Sequence, residues 1–186
     1  MEKFDDLAER QLDTRAIFDG KILHLRLDHV RLPNGKTAER EYLRHGGAVC
    51  VLPLLDDGTV LMERQYRYPM GQVMREIPAG KLDFPDEDPE TAARRELREE
   101  TGALAGELIP LGLFYPACAY SSEAIHMYLA RKITFGEREL DEDEFLNVER
   151  VPLKELARLV LAGEIPDAKT QLAILKVSCL LQKNFI

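Results

Sequence analysis

No run of apolar residues in this 186-residue chain approaches the length of about 20 that crosses a bilayer, so no membrane-spanning helix is expected. Basic tracts are missing as well. Lys and Arg number 25 against 33 Asp and Glu, and the formal net charge of -8 argues against a nucleic-acid partner held by its backbone phosphates. It leaves a small pyrophosphate open, because bound cations invert the local field. Cysteine occurs only 3 times, an odd number, and Cys50 and Cys179 stand in apolar stretches, where buried thiols are expected rather than redox or metal groups. Internal repeats and low-complexity segments are absent. The opening Met1-Glu2-Lys3-Phe4-Asp5-Asp6 is acidic and has no apolar h-region, so a soluble, cytoplasmic protein is expected.

Hydrophobic residues make up 45% of the chain and charged residues 31%, enough for one globular domain with a sizeable core. Residues 1–13 carry a weak helical pattern. Polar and apolar residues alternate from Leu23 to Leu32, after a turn at Phe18-Asp19-Gly20-Lys21, and Pro33-Asn34-Gly35-Lys36 turns the chain into a third strand at Thr37 to His45. Ala48 to Leu55 is nearly continuous apolar, as in a strand buried on both faces, and Asp56-Asp57-Gly58 leads into its hairpin partner at Thr59 to Arg67. Further strands are expected at Met74–Pro78, Leu108–Phe114, Ala124–Ala130 and Phe145–Val151. Leu153–Leu161 is an amphipathic helix, and Asp167 caps a last one whose face is drawn through Leu172, Leu175, Cys179 and Leu180.

Residues 80–103 are the stretch around which the rest is organised. Gly80 to Pro85 is loop, Asp88-Pro89 or Asp86 offers an N-cap, Thr91 to Thr101 is rich in Ala, Leu, Arg and Glu, and Gly102 stops the helix. Glu96, Glu99 and Glu100 at i, i+3 and i+4 place three carboxylates on one face within a turn. Like charges repel there, and a hard divalent cation relieves the repulsion. The alternative is a solvated helix in which Arg94, Arg95 and Arg98 pair with neighbouring glutamates.

These residues resemble the Nudix hydrolases, whose pattern is G-x5-E-x7-R-E-U-x-E-E-x-G-U with U aliphatic. Arg95-Glu96-Leu97-Arg98-Glu99-Glu100-Thr101-Gly102-Ala103 fits the second half, Glu87 stands at the required distance before Arg95, and the loop from Gly80 to Glu87 is one residue longer than the pattern. Glu76-Ile77-Pro78-Ala79-Gly80-Lys81-Leu82-Asp83 and Arg64-Gln65-Tyr66-Arg67-Tyr68-Pro69 resemble the nucleoside-diphosphate-sugar branch that includes ADP-ribose pyrophosphatases, and the likeness runs from about Ile17 to about Gly163. The resemblance implies an α+β fold, an α-β-α sandwich around a mixed sheet with a small N-terminal antiparallel sheet. Residues 1–45 would be a tail and dimerisation sheet, and 46–186 the hydrolase domain. It implies Mg2+, with Mn2+ as the alternative. Glu96 and Glu100 would be metal ligands, Glu99 would share or support them, and the Ala79 carbonyl would complete the shell. Arg95 would hold a carboxylate, Glu99 or Glu87, while Gly80, Glu87 and Gly102 are structural positions of the motif. The acidic run Asp141-Glu142-Asp143-Glu144 reads by composition as a solvated loop. In the relatives the matching loop brings in a glutamate, so Glu142 is a candidate general base and Glu144 a candidate ligand.

Substrate selection rests on fewer residues. Arg67 is a candidate for a bidentate phosphate contact, weighed against a structural ion pair. Asp83 and Glu123 are candidates for ribose hydroxyls, weighed against ordinary surface carboxylates. Phe18 or Tyr42 is a candidate to stack on the base, weighed against a place in the core. Cys118 stands where the ADP-ribose branch usually has proline. The expected function is Mg2+-dependent hydrolysis of a nucleoside diphosphate sugar, ADP-ribose or similar, to a nucleoside monophosphate and a sugar phosphate. A homodimer without nucleic-acid or membrane partners is expected. Alternatives are another nucleotide class, such as dinucleoside polyphosphates or GDP-sugars, and a non-catalytic nucleotide-sugar-binding module. The latter is expected to lose carboxylates of the motif, and here all are present.

Overall fold

A computed structural model describes residues 5–84, 86–140 and 145–185. The chain divides into two compact units. One gathers residues up to Gly46 with Ala117–Ala124, and the other gathers Gly47–Pro116 with the chain from Ile125 onward.

The first unit is an antiparallel sheet of β1 (Arg10–Asp19), β2 (His24–Arg31) and β3 (Thr37–Arg44), in that order. Gly35 adopts a positive φ of 82° in the turn between β2 and β3, where Lys36 N–H donates to the Asn34 side chain. The segment 117–124 returns to β3: Leu43 N–H donates to Tyr120 O and Ser122 N–H to Leu43 O. Residues 10–13 are strand, against the weak helical pattern there. Their ladder to β2, with an irregularity between Gln11 and Asp13, and the bond from Gln11 Nε2 to Asp28 Oδ2 (2.8 Å) outweigh a marginal local preference.

The second unit runs β4 (Ala48–Pro53), β5 (Thr59–Arg67), β6 (Gln72–Glu76), β7 (Ala79–Lys81), α1 (Pro89–Thr101), β8 (Ala103–Phe114), β9 (Ile125–Phe135), β10 (Leu146–Pro152), α2 (Leu153–Leu161) and α3 (Ala168–Gln182). One sheet has the order β7-β4-β9-β8, with β4 and β9 parallel, and the other has β10-β5-β6, all antiparallel. The apolar run of β4 is buried at every position because both its faces are covered. Val49 and Val51 pack with Ala92, Ala93 and Leu97 of α1, while Cys50 and Leu52 pack with α2 and α3 through Leu156, Ala173, Ile174 and Val177. The unit is therefore an α-β-α sandwich, and the fold is α+β.

The last helix corrects one expectation. Its buried stripe is Thr170, Ala173, Ile174 and Val177, so Cys179 is exposed, as is Leu172. Apolar residues surround this helix on most sides, and periodicity alone does not pick the stripe that packs. Cys50 is fully buried, and loss of water pushes its thiol up to about 12. Among the described residues no helix is long and apolar enough to cross a membrane.

Candidate active site

Helix α1 starts where Asp88 accepts from Thr91 N–H (2.9 Å), with Pro89 at its first position, and ends where Gly102 takes φ 72° and donates to Arg98 O. This fixes the phase of the helix. Ala92, Ala93 and Leu97 face the sheet, while Glu96, Glu99 and Glu100 lie along the side nearest β7 and the loop that precedes α1.

Arg95 organises that side. Its Nη1 donates to Glu96 Oε1 at 2.8 Å and to Glu99 Oε2 at 3.2 Å. Its Nε and Nη2 reach the Glu87 carboxylate at 3.3 Å, Nη2 also reaches Lys81 O, and Asp83 Oδ2 lies 3.4 Å from Nε. Glu87 is further held by the Asp83 N–H at 2.7 Å. That bond, followed by Arg95, keeps its carboxyl below the usual carboxylate range. Arg95 itself is held firmly cationic: its ion pairs and hydrogen bonds outweigh the opposing effect of partial burial.

Gly80 lies directly against Glu96, and a Cβ at that position would overlap the Glu96 carboxylate. Glu100 is buried, and its Oε2 accepts the Ala79 N–H at 3.0 Å. Two carboxylates, Glu96 and Glu100, thus meet the Ala79-Gly80 backbone, with hard oxygen donors in a cradle that a side chain at residue 80 would fill. That set fits a hard divalent cation. Among the described residues no three His, Cys, Asp or Glu side chains already converge as a cation cage.

Two further carboxylates, Glu63 and Glu76, adjoin this face. Glu63 on β5 is 3% exposed, bonds to the Glu100 carboxyl, and its Oε1 has no partner among the described residues. Burial pushes Glu63 up to about 8, with the Glu100 bond opposing, so near neutrality the two carboxyls share a proton. Glu76 on β6 pairs with Glu63 across the strands. Burial pushes its carboxyl up, but the Arg67 hydrogen bonds and the Lys169 charge outweigh this and hold it low. The only sign of Glu63 in the sequence is a carboxylate ending the apolar run Val60-Leu61-Met62.

The substrate candidates are placed as follows. Arg67 donates from Nε and Nη2 to the two oxygens of Glu76, at 2.7 and 2.9 Å, so its fork is engaged in an ion pair. Asp83 lies beside Arg95 on the exposed loop. Phe18 is 56% exposed on β1, its ring over Gly20, and Tyr42 is half-buried on β3. Glu123 lies in the segment that returns to β3, its carboxylate 4.0 Å from His45 Nε2. Glu142 and Glu144 lie outside the described residues.

The NUDIX domain profile matches residues 44–172, and that of the nucleoside diphosphate sugar hydrolase N-terminal domain matches residues 9–43. The chain is similar to the ADP-ribose pyrophosphatase of Bacillus subtilis (strain 168), 44% identical over 170 residues that cover 90% of this chain and 91% of that one. It is also similar to the methanol dehydrogenase activator of Bacillus methanolicus, 39% identical over 168 residues, 89% of this chain and 90% of that one. A crystal structure of an ADP compounds hydrolase shares the fold, with a TM-score of 0.84 over 96% of this chain and 97% of that one at 24% identity. The profile covers the helix, the Gly80 approach and both flanking sheets, and the chain belongs to the Nudix family.

Proposed function

We propose that the chain hydrolyses the diphosphate of a nucleoside diphosphate sugar, ADP-ribose or a similar compound, to a nucleoside monophosphate and a sugar phosphate. The observation that carries this is the acidic side of α1, with Glu96 seated against Gly80, Glu100 held by Ala79 N–H and Arg95 bridging Glu96 and Glu99. The N-terminal domain match and the name of the B. subtilis relative support the substrate class.

The metal is Mg2+, with Mn2+ as the alternative, held by Glu96, Glu100 and the Ala79 carbonyl, with Glu144 as a further ligand. When bound, the cation neutralises charge on the diphosphate and acidifies a water. The chain's own residues do the rest. Arg95 fixes the rotamers of Glu96 and Glu99, so the ligand face is set before substrate arrives. A carboxylate, Glu142 or Glu99, takes the proton of the attacking water as its oxygen bonds to phosphorus and the bridging P–O bond breaks. Arg67, Asp83, Glu123 and Phe18 are the proposed contacts to phosphate, ribose and base. Arg67 must share its fork between Glu76 and phosphate to serve. The reading includes a cytoplasmic homodimer, with residues 1–45 as the dimerising part, and no nucleic-acid partner, in keeping with the net charge of -8.

A panel of nucleotide sugars and dinucleoside polyphosphates, incubated with Mg2+ and with EDTA and resolved into products, tests the reading. Metal-dependent release of a nucleoside monophosphate and a sugar phosphate is expected. No hydrolysis of any member would overturn it. Sedimentation at micromolar concentration checks the dimer, and an active monomer would contradict that part.

A further inference from the structure

Between β6 and β7 the chain runs through Ile77-Pro78, outside any strand, and then delivers Ala79 and Gly80 to the acidic side of α1. Each residue of 76–79 is tied to another element. Glu76 takes Arg67 of β5 and Lys169 of α3, Ile77 N–H donates to Thr170 Oγ1 of α3 (3.0 Å), Pro78 O accepts Val51 N–H of β4 (2.9 Å), and Ala79 N–H donates to Glu100 of α1 (3.0 Å). Two of these five ties come from one turn of helix more than 90 residues away in sequence. That turn is itself fixed. Asp167 caps it by accepting Thr170 N–H (3.0 Å) and also pairs with Lys169 Nζ (3.1 Å). Thr170 is fully buried, so its bond to the Ile77 amide has no water to replace it, and the Lys169 side chain is mostly buried.

We infer that the first turn of α3 is a positioning device for the metal-holding residues: Thr170 and Lys169 act through Ile77 and Glu76 to set where Ala79 and Gly80 meet Glu100 and Glu96. The inference rests on the proposed metal-dependent reading. An unpaired amide at Ile77, or a released Glu76, allows the 76–80 segment to shift. The Ala79 amide holds Glu100, and the Gly80 backbone sets the space left for Glu96, which Arg95 also holds. Thr170 bonds to the Ile77 amide, and Lys169 pairs with Glu76 and Asp167, so the path to the two carboxylates runs through the backbone of this segment. Outer partners of this kind typically change metal affinity or activity by about 10–100-fold.

The test compares Thr170→Val, which keeps the shape and loses the acceptor, with Thr170→Ser, which keeps the acceptor, and adds Lys169→Met. Mn2+ binding without substrate is measured by calorimetry, beside the Mg2+ dependence of turnover, kcat and thermal midpoint. Thr170→Val and Lys169→Met are expected to weaken Mn2+ binding by about 10-fold or more and to raise the Mg2+ concentration needed for half-maximal turnover. Thr170→Ser should stay within about twofold of the parent. A lowered thermal midpoint with unchanged Mn2+ affinity would overturn the inference, because it marks a prop for the fold alone. Failure of both Thr170→Val and Lys169→Met to fold would overturn it for the same reason. If the parent hydrolyses nucleotide sugars and the variants match it, only this inference fails. If the parent shows no metal-dependent hydrolysis, the functional reading itself fails.

Discussion

Glu63 is the residue whose environment costs the chain most visibly. Its carboxyl is buried on β5, bonded to Glu100 on one oxygen, and without a partner among the described residues on the other. Loss of water dominates its titration and pushes it up to about 8, against an ordinary 4.5, with the Glu100 bond and the Lys169 and Arg138 charges opposing. Between those two values the folded chain keeps a proton that the unfolded chain has released. The stabilisation from Glu63 is therefore complete below its unfolded value and is lost as pH rises through the folded one. Glu63→Met, similar in length and free of charge, removes this dependence. In EDTA, the thermal midpoint of the variant relative to the parent should rise from about pH 5 to about pH 8. A difference that stays flat or moves in the parent's favour would contradict the burial assigned to this group.

Helix α1 is the element on which the site depends, and its C-terminal stop is the most exacting backbone position in it. Gly102 takes φ 72°, and a Cβ there would meet Gly136 O at 3.0 Å, while Gly136 N–H donates back to Gly102 O. Gly102→Ala should cost about 1–2 kcal/mol, the usual penalty for an L-residue in the left-handed region, and lower the thermal midpoint by several degrees. A midpoint equal to the parent's would show that the turn relaxes freely. The helix was legible in the sequence because its cap, its stop and its apolar face are all local signals. Helix α2 and strands β4 and β5 were legible for the same reason. The start of β1 was not, since only pairing with β2 makes residues 10–13 a strand. Nor was the packed face of α3, where Leu172 and Cys179 compete with Ala173 and Val177 for the same role and the neighbouring sheet decides. The supporting residues Glu63, Lys169 and Thr170 leave almost no trace in the sequence, because each acquires its role from a partner on another element.

At the scale of the whole chain, a small antiparallel sheet and an α-β-α sandwich match the two domains of one family, and the proposed metal face lies along one side of one helix. The net charge of -8 adds to the repulsion among the α1 carboxylates, so Arg95 and a bound cation answer the same electrostatic need. The most direct test of the account is the turnover of ADP-ribose at saturating Mg2+, followed by product analysis, for the parent beside Glu96→Gln and Glu100→Gln. These changes keep side-chain size and helix preference while removing one charged oxygen donor each. The account predicts release of a nucleoside monophosphate and a sugar phosphate by the parent and a fall of at least about 100-fold in each variant. Turnover near the parent's in both variants would contradict it.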